Sequence, residues 1–251
     1  MQCSLRGRWT GDMKYKFFCD FDGTITKDDV IDKILEEFAD PLWRDIEQSW
    51  VKGEIGSRDC LAMQTRLIKA KERDLLGFVE GVEIDETFID FARYCNSKTV
   101  EIAILSDGID LFIKSILNRF GLKDIKVFAN GLAHTNGYFE MTFPYFRKDC
   151  SSGSGVCKCM IMEELSSPEG INILVGDGRS DFCVAAKVDL TFAKSTLLQF
   201  CRDEKISYID HREFKDIREW LMNQKEQDRF VSQKTFVNPS LRRTKCSTMR
   251  N

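Results

Sequence analysis

Tyr15-Lys16-Phe17-Phe18-Cys19-Asp20-Phe21-Asp22-Gly23-Thr24 is the stretch on which the fold turns. Its first half is a short aromatic run, too brief for a helix and rich in strand formers. Its second half breaks off into carboxylates and a glycine, so the segment reads as a buried strand ending in a loop. The same grammar recurs twice. Thr99 to Leu105 is apolar and ends at Ser106-Asp107-Gly108, and Ile171 to Val175 ends at Gly176-Asp177-Gly178. Helical spacing lies between these strands. Ile109 to Phe120 stops at Gly121, a helix-ending glycine, and Val156 to Leu165 follows a Ser/Gly loop over 149–155. Ile125 to Phe128 reads as a further strand, and helix and strand alternate to about Leu221. Alternation of this kind predicts an α/β fold with a doubly wound parallel sheet.

Two features interrupt the alternation. From Asp28 to about Cys95 the spacing is helical. Val30, Ile31, Ile34, Leu35 and Phe38 share one face, Trp43, Ile46 and Trp50 share another, and Cys60, Leu61, Gln64, Leu67 and Ile68 suggest a third. This is the pattern of a small helical cap inserted after the first strand. The dipeptides Asn130-Gly131 and Asn136-Gly137 are tight-turn signals, and they predict a β-hairpin around His134 to Phe143.

The chain has 251 residues, enough for one large domain or a core with one insert. The expected organisation is a leader over 1–14, a catalytic core over 15–27 and 96–224, the cap over 28–95, and a polar tail over 225–251. The leader has no apolar periodicity, so Met13 is a plausible second start. The tail carries seven Lys/Arg against two Asp/Glu. It reads as a solvated disordered tail, with a nucleic-acid or membrane contact as the alternative. A net charge of −3 supplies no global field for nucleic acid. No apolar run approaches the roughly 18 residues of a membrane span. Ten cysteines, several inside apolar runs (Cys19, Cys95, Cys183), and no secretory h-region point to reduced thiols in the cytoplasm. Cys150, Cys157 and Cys159 do not have zinc spacing; plain thiols are expected, with zinc or a disulfide as alternatives. His134 and His211 are expected at the surface.

Three strands thus end in polar residues that packing does not require: Asp20 and Asp22, then Ser106, then Asp177 with Asp181. In open parallel sheets the ligand crevice lies at the carboxyl ends of the strands, so these groups should converge. Four carboxylates in one crevice repel one another, and a hard divalent cation, Mg²⁺ before zinc, is the simplest compensation. With a hydroxyl and glycine amides beside it, such a cluster suits a phosphate.

Asp20-Phe-Asp-Gly-Thr24, Ser106, Lys158 and Gly176-Asp-Gly-Arg-Ser-Asp181 together resemble the haloacid dehalogenase-like phosphatases over roughly residues 15 to 221. The cap is similar to that of the phosphoserine-phosphatase branch. Asp20-Phe-Asp-Gly-Thr-Ile-Thr26, Pro41 to Trp43 and Phe192-Ala193 resemble, more closely, the methionine-salvage phosphatases acting on 2-hydroxy-3-keto-5-methylthiopentenyl-1-phosphate. Two positions depart from that group: Ser106-Asp107-Gly108 stands where it has Ser-Gly-Gly, and Gly176-Asp177-Gly178 where it has Gly-Asp-Ser.

The resemblance implies a Mg²⁺-dependent phosphomonoesterase acting on a small phosphorylated metabolite. Asp20 would be the nucleophile and form an aspartyl-phosphate. Asp22 would protonate the leaving alkoxide and later activate water. Ser106 and the amides of Asp107 and Gly108 would bind phosphoryl oxygens, with Lys158 supplying positive charge. Asp20, the Asp22 carbonyl, Asp177 and Asp181 would hold the metal. In the cap, Asp29 and Gln64 fall where phosphoserine phosphatases have a glutamate and an arginine for the amino acid; a neutral glutamine disfavours phosphoserine. Trp43, Trp50, Met63 and Leu67 are expected in the cap's own core, or else as an apolar rim to the substrate. A phosphoserine phosphatase, a phosphotransferase and a non-catalytic phospho-ligand-binding module stay open as alternatives, and the chain could be a monomer or homodimer.

Overall fold

The computed structural model describes residues 14–150, 152–166 and 169–231. Residues 1–13 of the expected leader, the Met13 start among them, and the last twenty residues of the tail lie outside them, while Lys14, expected to close the leader, opens the first strand. Seven strands form one sheet: β1 (Lys14–Cys19), β2 (Glu101–Ile109), β3 (Lys126–Thr135), β4 (Tyr138–Thr142), β5 (Gly170–Gly176), β6 (Leu190–Ala193) and β7 (Tyr208–Asp210). Their order is β4-β3-β2-β1-β5-β6-β7, and every pair is parallel except β3 with β4. The strand read first from the sequence is therefore the central one, between β2 and β5.

Its alternation explains the two helical layers. Tyr15, Phe17 and Cys19 point to one face and Phe18 to the other, all buried, so each face needs cover. On the first face lie α5 (Thr87–Ser97) and α10 (Phe214–Val231). Phe17 meets Phe91 edge-on at 5.0 Å, and Phe88 meets Phe214 at 4.7 Å. On the second, Phe18 clusters with Ile161, Leu174 and Leu197, carried partly by α7 (Lys158–Leu165) and α9 (Ser195–Asp203). Each such side chain contributes about 1.5–3 kcal/mol of burial. Two shorter paths complete the core: α6 (Asp110–Arg119) packs on β2 and β3, and α8 (Phe182–Ala185) follows a 3₁₀ turn at Arg179–Asp181.

The cap comprises α1 (Val30–Phe38), α2 (Trp43–Val51), α3 (Ser57–Thr65) and α4 (Glu72–Val79). Short antiparallel bridges, Thr26 with Ile84 and Ala39 with Ile68, tie its ends. The helical stretch expected over 28–95 thus includes α5, which packs on the core because Phe91 meets Phe17 of β1 and Phe88 meets Phe214 of α10. Among the described residues no helix is long and apolar enough to cross a membrane.

Four local expectations are corrected. β2 does not end at Leu105 but runs on to Ile109 with a shift in register, so Ser106-Asp107-Gly108 is an irregular strand segment and not a loop. Asn130-Gly131 is no turn. It lies inside β3, where buried Asn130 donates from Nδ2 to the Asp107 carbonyl at 2.6 Å; a tertiary partner overrides a local preference. The hairpin turns at Asn136-Gly137, both at positive φ (53° and 83°), as a type I′ connection needs. The last helix continues to Val231, past the expected boundary at Lys225. His211 is buried, 3 % exposed, edge-on to Phe192 and Phe214, whereas His134 is exposed as expected.

Candidate active site

Asp20 follows β1 directly, and its N–H continues the ladder to the Val175 carbonyl at 2.8 Å. That bond fixes the carboxylate at the strand's carboxyl end, where Oδ1 accepts from the Phe21 amide at 2.8 Å. The chain must then reverse, and Gly23 does so at φ +67°; a Cβ there would lie 2.8 Å from Asp177 Oδ2. Thr24, packed by the same turn, donates from Oγ1 to Asp177 Oδ1 at 3.0 Å. Asp22 is held from two sides. Oδ1 accepts from the Val30 amide at 2.9 Å, and Oδ2 accepts from Ser106 Oγ at 3.1 Å. Gly108 is glycine for a similar reason: a Cβ there would sit 2.6 Å from Asp22 Oδ2. Its amide donates to Ser106 Oγ at 2.9 Å.

Lys158 comes from the first turn of α7 and is 1 % exposed. Its ammonium donates to Asp181 Oδ1 at 2.7 Å and to Ser180 Oγ at 2.9 Å, and it pairs with Asp20 Oδ1 at 3.0 Å. Burial works against its charge, but Asp181 and Asp20 outweigh it and hold the amine protonated well above its usual range. The carboxylates show the opposite strain. Burial, then Asp181, pushes Asp20 up in spite of Lys158, and burial with Asp181 raises Asp177. Burial, then Asp29, pushes Asp22 up to about 8. A carboxyl so raised carries its proton at neutral pH, as a general acid must.

Oxygens of Asp20, Asp177 and Asp181 lie within 4.8 Å of one another, and this is the one such cluster of possible metal ligands among the described residues. Hard oxygen donors, crowded enough to raise one another's pKa, fit a divalent cation of the Mg²⁺ type. The eight described cysteines are free, and none enters a cluster of that kind.

The cavity above Asp20 has a volume of about 860 Å³, with the core's loops as its floor and α2 and α3 of the cap as its far wall. Three expected residues take unexpected parts there. Asp107 is not beside the phosphate site as a loose charge. Its Oδ2 accepts from Ser57 Oγ of the cap at 3.0 Å and its Oδ1 from the Val156 amide at 2.8 Å, so it joins cap, strand and loop. Gln64 is 1 % exposed, and its Nε2 is committed to Glu47 Oε2 at 2.9 Å and the Trp43 carbonyl at 3.3 Å. Asp29 lines the cavity and also caps α1 through a bond from the Asp32 amide at 3.0 Å. Of the four apolar cap residues, Trp50 lines the cavity, Trp43 is buried in the core, Leu67 packs against it and Met63 is 49 % exposed.

Sequence reasoning passed over Glu47 and Ser57, read Asn130 as a turn residue and gave Thr24 no partner. Glu47 had a signal: it lies four residues after Trp43 and three before Trp50, an acid on an apolar helix face. The others act through partners 23 to 153 residues away, which no local pattern reveals.

A parallel sheet whose central strand ends in Asp-x-Asp, with a serine on one neighbour, a buried lysine and an aspartate pair on the other, is the arrangement of the haloacid dehalogenase-like phosphatases. The chain belongs to the family described as Putative Phosphatase, whose profile matches residues 17–231. It is 29 % identical over 208 residues to the 2-hydroxy-3-keto-5-methylthiopentenyl-1-phosphate phosphatase of Bacillus mycoides, covering 82 % of this chain and 94 % of that one. The enzyme of the same name from Bacillus cytotoxicus is 29 % identical over 214 residues, covering 84 % and 97 %. Among solved structures, a substrate-bound phosphoserine phosphatase matches with TM-score 0.66 at 21 % identity, over 84 % of this chain and 99 % of the other. A phospho-aspartyl intermediate analogue of phosphoserine phosphatase matches with TM-score 0.64 at 21 % identity, over 83 % and 99 %. These two likenesses concern the fold.

Proposed function

We propose that the protein is a Mg²⁺-dependent phosphomonoesterase that works on a small phosphorylated metabolite through an aspartyl-phosphate. The observation that carries this reading is the division of labour between two aspartates two residues apart. Asp20 is paired at 3.0 Å with the buried Lys158, whose charge favours the anion against the upward push of burial and Asp181, while Asp22 is raised to about 8 and bonded to Ser106. The first suits a nucleophile and the second a proton donor to the leaving alkoxide. Ser106 Oγ and the Gly108 amide would turn to phosphoryl oxygens in exchange for their bonds to Asp22 and to Ser106, and Lys158 offsets the charge that gathers on nucleophile and phosphate. Asp20, Asp177 and Asp181, with the Asp22 carbonyl, would hold the metal, which neutralises phosphate charge when bound. Once the alcohol has left, Asp22 is the base that takes a proton from water.

The relatives' named substrate, 2-hydroxy-3-keto-5-methylthiopentenyl-1-phosphate, is the first compound to assay, and place in methionine salvage stands or falls with it. The test of the activity itself is phosphate release with Mg²⁺ and with chelator, for the wild type and Asp20→Asn. The amide keeps the shape of the side chain but cannot form the acyl-phosphate, so a loss of about 10³ or more is expected. Residual turnover above about 1 % would refute the nucleophile.

A further inference from the structure

Four cysteines lie beside the floor of the site in a pattern the hydrolysis does not use. The Cys159 thiol donates to the sulfur of Cys183, and the Cys157 thiol donates to Cys150. Ser152 joins the two pairs. Its Oγ lies 3.0 Å from Cys150 Sγ and donates to Cys183. The groups therefore form a chain in the order Cys157, Cys150, Ser152, Cys183 and Cys159. Among the described residues no three of these sulfurs stand near enough to share one metal ion, which sets zinc aside. What the arrangement does favour is chemistry between two sulfurs.

The two pairs differ in what they join and in what reaches them. Cys150 and Cys157 belong to one loop, and neither lines the cavity. Cys183 does line it, beside Ser180 and Phe182, and so meets a small solute that enters there. Cys159 is buried, in the cluster that holds Ile161, Val184 and Leu197. This second pair spans two packed helices, since Cys159 lies in the first turn of α7 and Cys183 in α8. The same two segments carry part of the site's floor. Lys158 immediately precedes Cys159, and Ser180 and Asp181 come just before Cys183. Lys158 Nζ reaches Ser180 Oγ at 2.9 Å and Asp181 Oδ1 at 2.7 Å.

We propose that Cys159 and Cys183 are a reversible oxidation site: hydrogen peroxide entering the substrate cavity links them as a disulfide, and the link stops turnover by moving Lys158. The Cys183 sulfur attacks a peroxide oxygen, the O–O bond breaks, and one water departs to leave a sulfenic acid. The Cys159 sulfur then attacks the sulfenic sulfur. The S–S bond forms, the S–O bond breaks, and the hydroxyl leaves with the Cys159 proton as a second water. Two thiols lose two electrons in all, and one peroxide gains them. A covalent bond is shorter than any contact between two thiols, so the first turn of α7 is drawn onto α8 and Lys158 goes with it. A misplacement of about 1 Å can cost about 10² in rate. The bond itself is independent of the phosphomonoesterase reading; its effect on turnover rests on that reading.

The test treats the full, reduced chain with hydrogen peroxide in the presence of Mg²⁺, then alkylates, unfolds and digests it with trypsin for mass spectrometry. Cleavage after Lys158 and Arg179 leaves Cys159 in peptide 159–179 and Cys183 in peptide 180–187, while Cys150 and Cys157 share peptide 149–158. Peptides 159–179 and 180–187 should be joined, and turnover of para-nitrophenyl phosphate should fall by at least about tenfold. Dithiothreitol should reverse both, as it does not reverse a sulfinic acid or a methionine sulfoxide. Each variant is compared with its own untreated sample. Cys183→Ser should keep more than about half of its turnover under peroxide, and Cys159→Ser should leave a sulfenic acid on Cys183, captured as its dimedone adduct. Should one variant not fold, the other decides. A missing link, a link inside 149–158 alone, or a link that leaves turnover within about twofold of the untreated enzyme overturns the inference. Inactivation of Cys183→Ser to the wild-type extent, or no adduct on Cys159→Ser, does the same. If no ester is hydrolysed even before oxidation, the phosphatase reading falls, and presence or absence of the link alone decides the site.

Discussion

Lys158→Met is the perturbation that tests the floor of the site most sharply. The ammonium sits 2.7 Å from Asp181 and 3.0 Å from Asp20, and all three side chains are at most 9 % exposed. Methionine keeps the length and the apolar stem but leaves two buried carboxylates without their cation. Removing one partner of a buried pair costs about 3–5 kcal/mol, against a total stability of about 5–15 kcal/mol. For a chain of this size each kcal/mol moves the melting temperature by about 2–4 °C, so a fall of about 6–20 °C is expected. The sign of its pH dependence follows. Without Lys158, burial and mutual repulsion hold Asp20 and Asp177 still further above the ordinary value of 3.8. Groups raised in the folded state bind more protons there than in the unfolded chain, so stability declines as pH rises through their raised values. The deficit against wild type should widen between pH 5 and pH 8. Mg²⁺ should stabilise the variant more than the wild type, because the cation replaces a missing charge. Turnover should drop by about 10²–10³, as for loss of one preorganised electrostatic contact. Thermal unfolding at both pH values, with chelator and with Mg²⁺, is the assay. A melting temperature within about 2 °C of wild type at pH 8 would refute the account of Lys158 as the compensating charge.

Asp22→Asn should slow esters of poorly acidic alcohols far more than activated aryl esters, because only the former need a proton in the transition state; equal losses across a leaving-group series would remove Asp22 from that role. His211 is lowered to about 4 by burial and then Lys194, from an ordinary 6.5. Its folded pKa lies below its unfolded one, so the stability it contributes is intact above about 6.5 and lost as pH falls toward 4, by up to about 3 kcal/mol. His211→Phe should flatten the unfolding free energy over that window, and an unchanged slope would show that other groups carry it. Phosphoserine should be a poor substrate, with kcat/KM below about 10⁴ M⁻¹s⁻¹. Its carboxylate would meet Glu47 and a Gln64 amide whose donors are already taken, and a value above that level would contradict this picture of the cap.

The sheet was legible because its signals are contiguous. An apolar run of five to seven residues and the polar residues after it are joined covalently, so Asp20, Asp22 and Asp177 could be assigned to strand ends before any tertiary contact was known, whereas Ser106 proved to lie within β2. The same locality misled at Asn130-Gly131, where the dipeptide prefers a turn but Asn130 is held in β3 by the Asp107 carbonyl. It misled again at the far boundary of the cap, since helical spacing in α5 does not say which surface its phenylalanines will meet.

The sequence by itself therefore determined the α/β class, the inserted helices and the aspartates that face the crevice, because each depends on periodicity or on adjacency along the chain. Tertiary structure decided what the polar residues do. Lys158 reaches Asp20 across 138 positions, Asp107 reaches Ser57 of the cap, and Gln64 spends its donors on Glu47 instead of a ligand. The strength and purpose of a charge depend on which atoms face it and on whether water can reach it, and only the folded chain sets those two conditions.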